Sequence, residues 1–424
     1  MARKRQAAKG LVGAVLMTAI SAYAMSAEAA TALRFNKMAD GSGKSVSDAV
    51  IVVDGDKIIS VGSGTAAIPA GAAVIDLRKF TAIPGMIDAH THISWVWDEA
   101  PGTTPYRQST RTVGENVFLA QKNLRRTLEA GVTTVRDLNA QQEGADIALR
   151  NLVNRGAMVG PRLFVSTRAI GASPRGAGGV SGPYEMTKMV REVIALGADW
   201  IKLFASTGGT QNLTGDATLT TEEIKAAVDI AHPLGKKVAL HSYGPEGAKR
   251  AAIAGVDTIE HAIDMDDETL AMMKAKGITY IPTIDHNRFY SDNAVPFEFR
   301  PGISDEYHEF IAKNIETTRR ALKAGVKVGM GSDQVYTMAG QNTRELGALV
   351  KAGMTPAQAL ASATTTNAAM LGKEKSLGSI APGYFADIVA VEGDPLADVN
   401  VTINNVRWVM RNGAVVVDKT GGAK

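Results

Sequence analysis

The chain has 424 residues, 45% of them hydrophobic and 21% charged, with 43 glycines and no cysteine. That length exceeds what one hydrophobic core usually organises, so a large domain with a smaller companion is expected. Without cysteine, thiolate nucleophiles, zinc–cysteine sites and disulfide staples are excluded, and the formal charge of +3 has meaning only once it is located.

It is located at the start. "MARKRQAAKGLVGAVLMTAISAYAMSAEAA" reads as a basic stretch, an apolar run from Leu11 to about Met25, and small-residue cleavage options after Ala29 or Ala24. Residues 1–29 are therefore expected to be a signal peptide, and the protein to be exported, periplasmic or secreted. Arg3, Lys4, Arg5 and Lys9 against Glu28 supply the whole formal charge, so the remaining chain is balanced and nothing in it argues for nucleic acid. As a membrane anchor the run falls short of the roughly 20 residues a span needs, and Thr18, Ser21 and Tyr23 interrupt it. No stable anchor is expected after cleavage.

Next come β-rich runs at 49–62 and 72–85, with Asp54–Gly55 as a hairpin signal. The far end repeats the pattern at 386–399 and 405–418, with Asn412–Gly413 as its turn. Residues 30–83 and 375–424 are therefore expected to form one small composite β-sandwich domain from both termini. "GSGKS" (residues 41–45) looks like the end of a phosphate loop, but Met38 stands where the pattern needs glycine and no long helix follows, so it reads as a polar turn.

Between them, residues 84–374 alternate β-branched runs with amphipathic segments. The runs are "GMIDAHTH", "GVTTVRDL", "RLFVSTRA", "DWIKLFAS", "KVALHSYG", "DTIEHA", "ITYIPTI" and "KVGMGSD". Eight βα units in this length predict a (β/α)8 TIM barrel, an α/β fold. An open doubly wound sheet is the alternative, and the lack of a dinucleotide fingerprint disfavours it.

On a strand, residues two apart face one side, so His90 and His92 project together, at the strand end where barrel active sites lie. Two imidazoles so placed suit one divalent ion. Lys202, His241, His261 and Asp333 fall at or near the C-terminal ends of four further strands. Each has an alternative taken singly: a hydrogen-bonded histidine, a helix-capping aspartate, a lysine extending its ammonium outward. Six such accidents at one rim are less economical than one site. Lys202 discriminates, because an ammonium has no lone pair for a metal, whereas a desolvated amine can take up carbon dioxide as a carbamate.

The set His90-x-His92, Lys202, His241, His261 and Asp333 resembles the binuclear amidohydrolase superfamily. "AGMTPAQALASATTTNAAMLG" and "GSIAPGYFADIVAVEGDPL" are similar to its imidazolonepropionase-like and Xaa-dipeptidase (prolidase-like) branch. "GVTTVRDL", "IKLFASTGG" and "LHSYG" look most like dipeptidases and ochratoxin-hydrolysing amidases. The resemblance implies that His90, His92 and Asp333 hold one metal ion and His241 and His261 a second, bridged by carbamylated Lys202 and a hydroxide. Two zinc ions (Zn2+) are the implied cofactors. It also implies a homo-oligomer, an octamer among the options. The branch carries a Gly-Gly-His segment after its third strand; here residues 166–182 hold no histidine, and Arg168, Ser173 or Arg175 are the candidates to replace it.

Asp333 is the expected proton acceptor. Tyr243, two residues beyond His241, is the expected donor to a substrate oxygen or carboxylate, with rim packing as its alternative. Loops 94–111 and 285–302 concentrate the aromatics, with Trp95, Trp97, Tyr106 and two arginines in the first. They form either a substrate wall or a loop–loop or subunit contact. The expected activity is zinc-dependent hydrolysis of an amide next to a free carboxylate, in a dipeptide, an N-acyl amino acid or an ochratoxin-like amide. A lactonase or phosphotriesterase using the same centre, and a non-catalytic binding scaffold, are the alternatives.

Overall fold

The computed structural model describes residues 30–172 and 179–421. The expected signal peptide, Ser173 and Arg175 lie outside the described residues. Among those described, no helix is long and apolar enough to cross a membrane.

Both ends of the described residues enter one seven-stranded sheet. Its strands are β1 (Thr31–Ala39), β2 (Ser45–Asp54), β3 (Lys57–Ser63), β4 (Ala73–Pro84), β14 (Ile388–Val391), β15 (Val406–Arg411) and β16 (Ala414–Asp418), in the order β16-β15-β14-β4-β1-β2-β3. Leu33 and Phe35 alternate onto one face and pack with Ile51, Ile388 and Trp408. Asn412 (φ +50°) and Gly413 (φ +76°) turn the last hairpin, the two positive φ values that a type I′ turn requires. The first hairpin turns on Gly55 and Asp56, one residue later than the Asp54–Gly55 pair, because β2 keeps Asp54 opposite Lys57. Residues 40–44 turn between β1 and β2, held by the Asp40 carboxylate on the N–H groups of Ser42 and Lys44.

Gly85 carries the chain from this sheet into the rest of the molecule. Its N–H reaches the Asp387 carbonyl at 2.8 Å, and a Cβ there would stand 2.1 Å from Thr133 Oγ1. Only glycine admits so close an approach.

The eight runs of the middle all form extended segments. They are β5 (Met86–Thr91), β6 (Val132–Asp137), β7 (Arg162–Val165) with β8 (Ala169–Gly171), β9 (Trp200–Phe204), β10 (Lys237–Ser242), β11 (Thr258–His261), β12 (Thr279–Ile281) and β13 (Lys327–Val328). The third run divides in two because Thr167, at φ +64°, breaks the ladder while its N–H is taken by buried Asp146 at 2.7 Å. All pairings are parallel, in a three-stranded sheet β5-β6-β7 and a six-stranded sheet β8 to β13. Asp199 N donates to Val165 O at 2.7 Å, and Ala89 N to Met330 O at 3.0 Å, so backbone bonds link the two sheets at both edges.

Helices between the strands start where their caps dictate. Thr112 with Glu115, and Thr220 with Glu223, are complete capping boxes for Val113–Glu129 and Thr221–Ala231. In the first helix an added Cβ at Gly114 would meet nothing within 4 Å. Gly114→Ala is expected to raise stability by up to about 1 kcal/mol, seen as a higher urea midpoint at unchanged slope; a lower midpoint would contradict the open environment.

Candidate metal centre

Strand direction and period bring the sequence candidates together. β5 carries His90 to its end with His92 just beyond, β9 supplies Lys202, β10 His241 and β11 His261, while Asp333 follows β13. All six are buried, at 1 to 8% exposure. Asp333 Oδ1 lies 3.0 Å from His92 Nε2 and 3.5 Å from His90 Nε2. One donor atom from each of His90, His92 and Asp333 falls within 4.8 Å of the others. The His90 and His261 rings are 4.8 Å apart and those of His241 and His261 4.5 Å.

Hydrogen bonds behind the rings decide which nitrogen faces the cavity. His90 Nδ1 donates to Glu260 Oε2 at 2.8 Å and His92 Nδ1 to the Asn139 carbonyl at 3.1 Å, so each directs Nε2 inward. His241 donates Nε2 to the Gly208 carbonyl at 3.0 Å, leaving Nδ1 free. His261 Nδ1 shares a bond of 2.6 Å with Thr283 Oγ1. Such outer partners fix tautomer and ring orientation. Burial, with the charge of Lys202, holds His90 and His241 well below the usual imidazole value, and burial does the same to His261. They are neutral, the state a metal ligand needs. Burial alone would push the Asp333 carboxyl up, but His286, His92 and His261 around it outweigh that and hold it below the usual range.

Strain concentrates here as well. Asn139 (φ +132°), His261 (+72°), Thr283 (+51°) and Asp333 (+53°) all have positive φ without being glycine, a conformation that persists only where its surroundings enforce it.

The Lys202 amine is 2% exposed and has no hydrogen-bond partner. Burial pushes it down to about 8. Beneath it, Arg136 on β6 donates from Nη2 to Glu260 Oε1 at 2.8 Å, with both side chains fully buried, and stacks on Trp200. An orphaned buried amine beside neutral imidazole nitrogens and an ionised carboxylate fits a pair of divalent cations once the amine becomes an anionic carbamate.

The donors line a cavity of ≈ 210 Å³, whose other walls include Trp95, Phe204, Tyr243 and Tyr290. Tyr243 is 3% exposed, with its ring 5.0 Å from that of His241. Arg168 is not brought to this cavity. Its guanidinium pairs instead with Glu143 at 3.0 Å, just before the helix Ala145–Asn154, and with Glu192 at 3.2 Å on the helix Pro183–Ala195. The loop arginines are engaged too: Arg107 with Glu298 and Arg111 with Asp98. Among the described residues no arginine lines the cavity. Most loop aromatics pack on one another, Trp97 against Phe297 and Tyr106 against Phe299, while Trp95 and Tyr290 reach the cavity wall. The 285–302 stretch is not all loop, since Ile284–Asp292 is helical.

Sequence reasoning missed His286, on that helix, whose Nε2 lies 3.4 Å from Asp333 Oδ2. It also missed Glu260 and Arg136. The residue before His261 in "DTIEHA" was an available sign, because an acid in an otherwise apolar strand needs a buried partner.

A sequence model of the amidohydrolase family matches residues 81–416. The ochratoxinase of Aspergillus niger is 28% identical over 402 residues, spanning 85% of this chain and 81% of its own. A solved Xaa-Pro dipeptidase, with methionine bound in its active site, superposes with a TM-score of 0.83 at 31% identity, over 91% of this chain and 99% of that one. A prolidase complexed with N-methylphosphonate-L-proline superposes with a TM-score of 0.80 at 28% identity, over 92% and 100%.

Proposed function

The chain belongs to the amidohydrolase family, and from that premise we propose an exported, zinc-dependent hydrolase of amide bonds next to a free carboxylate. Its substrates are dipeptides, N-acyl amino acids or ochratoxin-like amides, and it works as a homo-oligomer. The two parallel sheets are read as one (β/α)8 barrel, with a β-sandwich domain from both termini. One observation carries the proposal: six donor groups, carried on five strands or the segments that follow them, meet at one cavity, and the only lysine among them has a buried, unpartnered amine.

In this reading His90, His92 and Asp333 would hold one ion and His241 and His261 a second, and Lys202, as its carbamate, would supply an anionic oxygen ligand. When bound, such a pair supplies Lewis acidity and a hydroxide near neutral pH. The chain's own groups do the rest. Asp333 accepts the proton of the attacking water and returns it to the leaving nitrogen. Tyr243 donates to the substrate carbonyl oxygen or carboxylate. Trp95, Phe204 and Tyr290 form an apolar wall that excludes water and receives an acyl or side-chain group. The family relatives named as dipeptidase, prolidase and ochratoxinase support an amide as the bond attacked.

A kinetic screen of the zinc-loaded protein tests this. Turnover of dipeptides or N-acyl amino acids is expected. If these stay intact while lactones or phosphotriesters are cleaved, the amide reading fails, and a protein that turns over nothing and retains no metal would be a binding scaffold.

A further inference from the structure

His286 is left over by the proposed donor set. It is 4% exposed and lines the cavity. It lies outside the compact group of His90, His92 and Asp333, so it is not needed as a ligand there. Ordinary packing does not explain it either: its Nδ1 is buried with no hydrogen-bond partner, whereas buried polar groups in a purely structural setting are nearly always paired.

Its place is nonetheless built. Glu345, fully buried, accepts from the backbone N–H groups of Ile284 at 3.0 Å and Asp285 at 2.8 Å, which pins the first turn of the helix carrying His286. Tyr290, one turn on, holds the imidazole edge-to-face at 4.3 Å, and Tyr106 donates to the Tyr290 hydroxyl at 3.0 Å. These contacts hold the ring against Asp333, with Nε2 3.4 Å from its Oδ2.

The two oxygens of Asp333 have different imidazole neighbours. Oδ1 faces Nε2 of His92 and of His90, at 3.0 and 3.5 Å. Oδ2 is turned the other way, with His286 Nε2 at 3.4 Å as its nearest imidazole nitrogen and His261 Nδ1 at 3.9 Å. We propose that His286 is a positioning residue: through Nε2 it anchors Oδ2 and so fixes the rotamer that presents Oδ1 to the His90–His92 pair. This rests on the two-metal reading above and deepens it, since it makes one ion's affinity depend on a side chain from outside the donor set.

The test uses the full chain loaded with cobalt(II), followed by its visible absorption and by binding isotherms. His286→Ala is expected to weaken one of two cobalt ions by about 10–100-fold, the usual scale for losing an outer partner of a ligand, and to alter the absorption band. His286→Gln, whose amide N–H reaches a similar position, is expected to restore most of both. Substrate KM should change little while kcat falls. Two tight cobalt ions and an unchanged spectrum in His286→Ala would overturn the inference, as would failure of His286→Gln to recover affinity when its thermal midpoint equals that of wild type. Wild-type protein that binds no cobalt would instead refute the two-metal reading itself, so the two failures are distinguishable.

Discussion

Lys202→Ala is expected to leave at most one metal ion per chain and to lower kcat/KM by at least about 10²–10³-fold, the scale of losing one preorganised electrostatic partner. The reason is the setting of the amine: it points among the donors, is 2% exposed and bonds to nothing. Without a bridging anion the second ion would rest on His241 and His261 alone. A companion variant separates this role from stability. With the amine held at about 8, the metal-free chain at pH 7 keeps a buried ammonium at a cost of about 3 kcal/mol relative to the unfolded chain. Lys202→Met removes that cost, so the metal-free variant should be more stable than metal-free wild type at pH 7, though inactive. The sign of the pH dependence follows. Below pH 8 the lysine is protonated in both states and the penalty is complete. Between 8 and 10.5 the unfolded chain alone keeps the proton, so wild-type stability rises with pH and the gap closes. Urea midpoints of chelator-treated proteins across pH 7 to 10.5 measure this. A gap that does not narrow, or full activity in Lys202→Ala, would contradict the assignment.

The largest loss of stability is expected from Glu260→Ala, at about 3–5 kcal/mol. Both Glu260 and Arg136 are 0% exposed, and burial already pulls the guanidinium below its ordinary value. Removing the carboxylate strands that cation in the interior and leaves His90 Nδ1 without its acceptor. Pairing the change with Arg136→Met removes the stranded charge and should recover part of the loss, since an apolar replacement of a buried pair is often tolerated. Unfolding free energies of the two single variants and the double variant give the coupling directly; a loss under about 1 kcal/mol in Glu260→Ala would show that the pair does not carry the local fold.

Much of the centre was legible because period-two geometry needs no partner information. His90 and His92 share a face by spacing alone, Lys202 stands out inside an otherwise apolar run, and His241, His261 and Asp333 close short runs whose ends are marked by small residues. The eight strands were legible for the same reason. What escaped depends on contacts between distant residues. His286 lies on a helix after β12, where strand periodicity says nothing, and its meaning comes from Asp333, far along the chain. Arg168 sits in the expected loop, yet Glu143 and Glu192 claim it. Arg107 and Arg111 are likewise neutralised by Glu298 and Asp98. No local pattern announces that an arginine is already paired. The aromatic loops show the same limit, for their composition suited a substrate wall and a loop–loop contact equally, and the structure uses them mainly for the second.

Anomalous diffraction at the zinc edge, on crystals of the zinc-reconstituted protein, tests the central claim most directly. The account predicts two peaks in the cavity, one beside His90, His92 and Asp333 and one beside His241 and His261, with extra density on the Lys202 amine between them. A single peak, or zinc bound only elsewhere on the molecule, would contradict it.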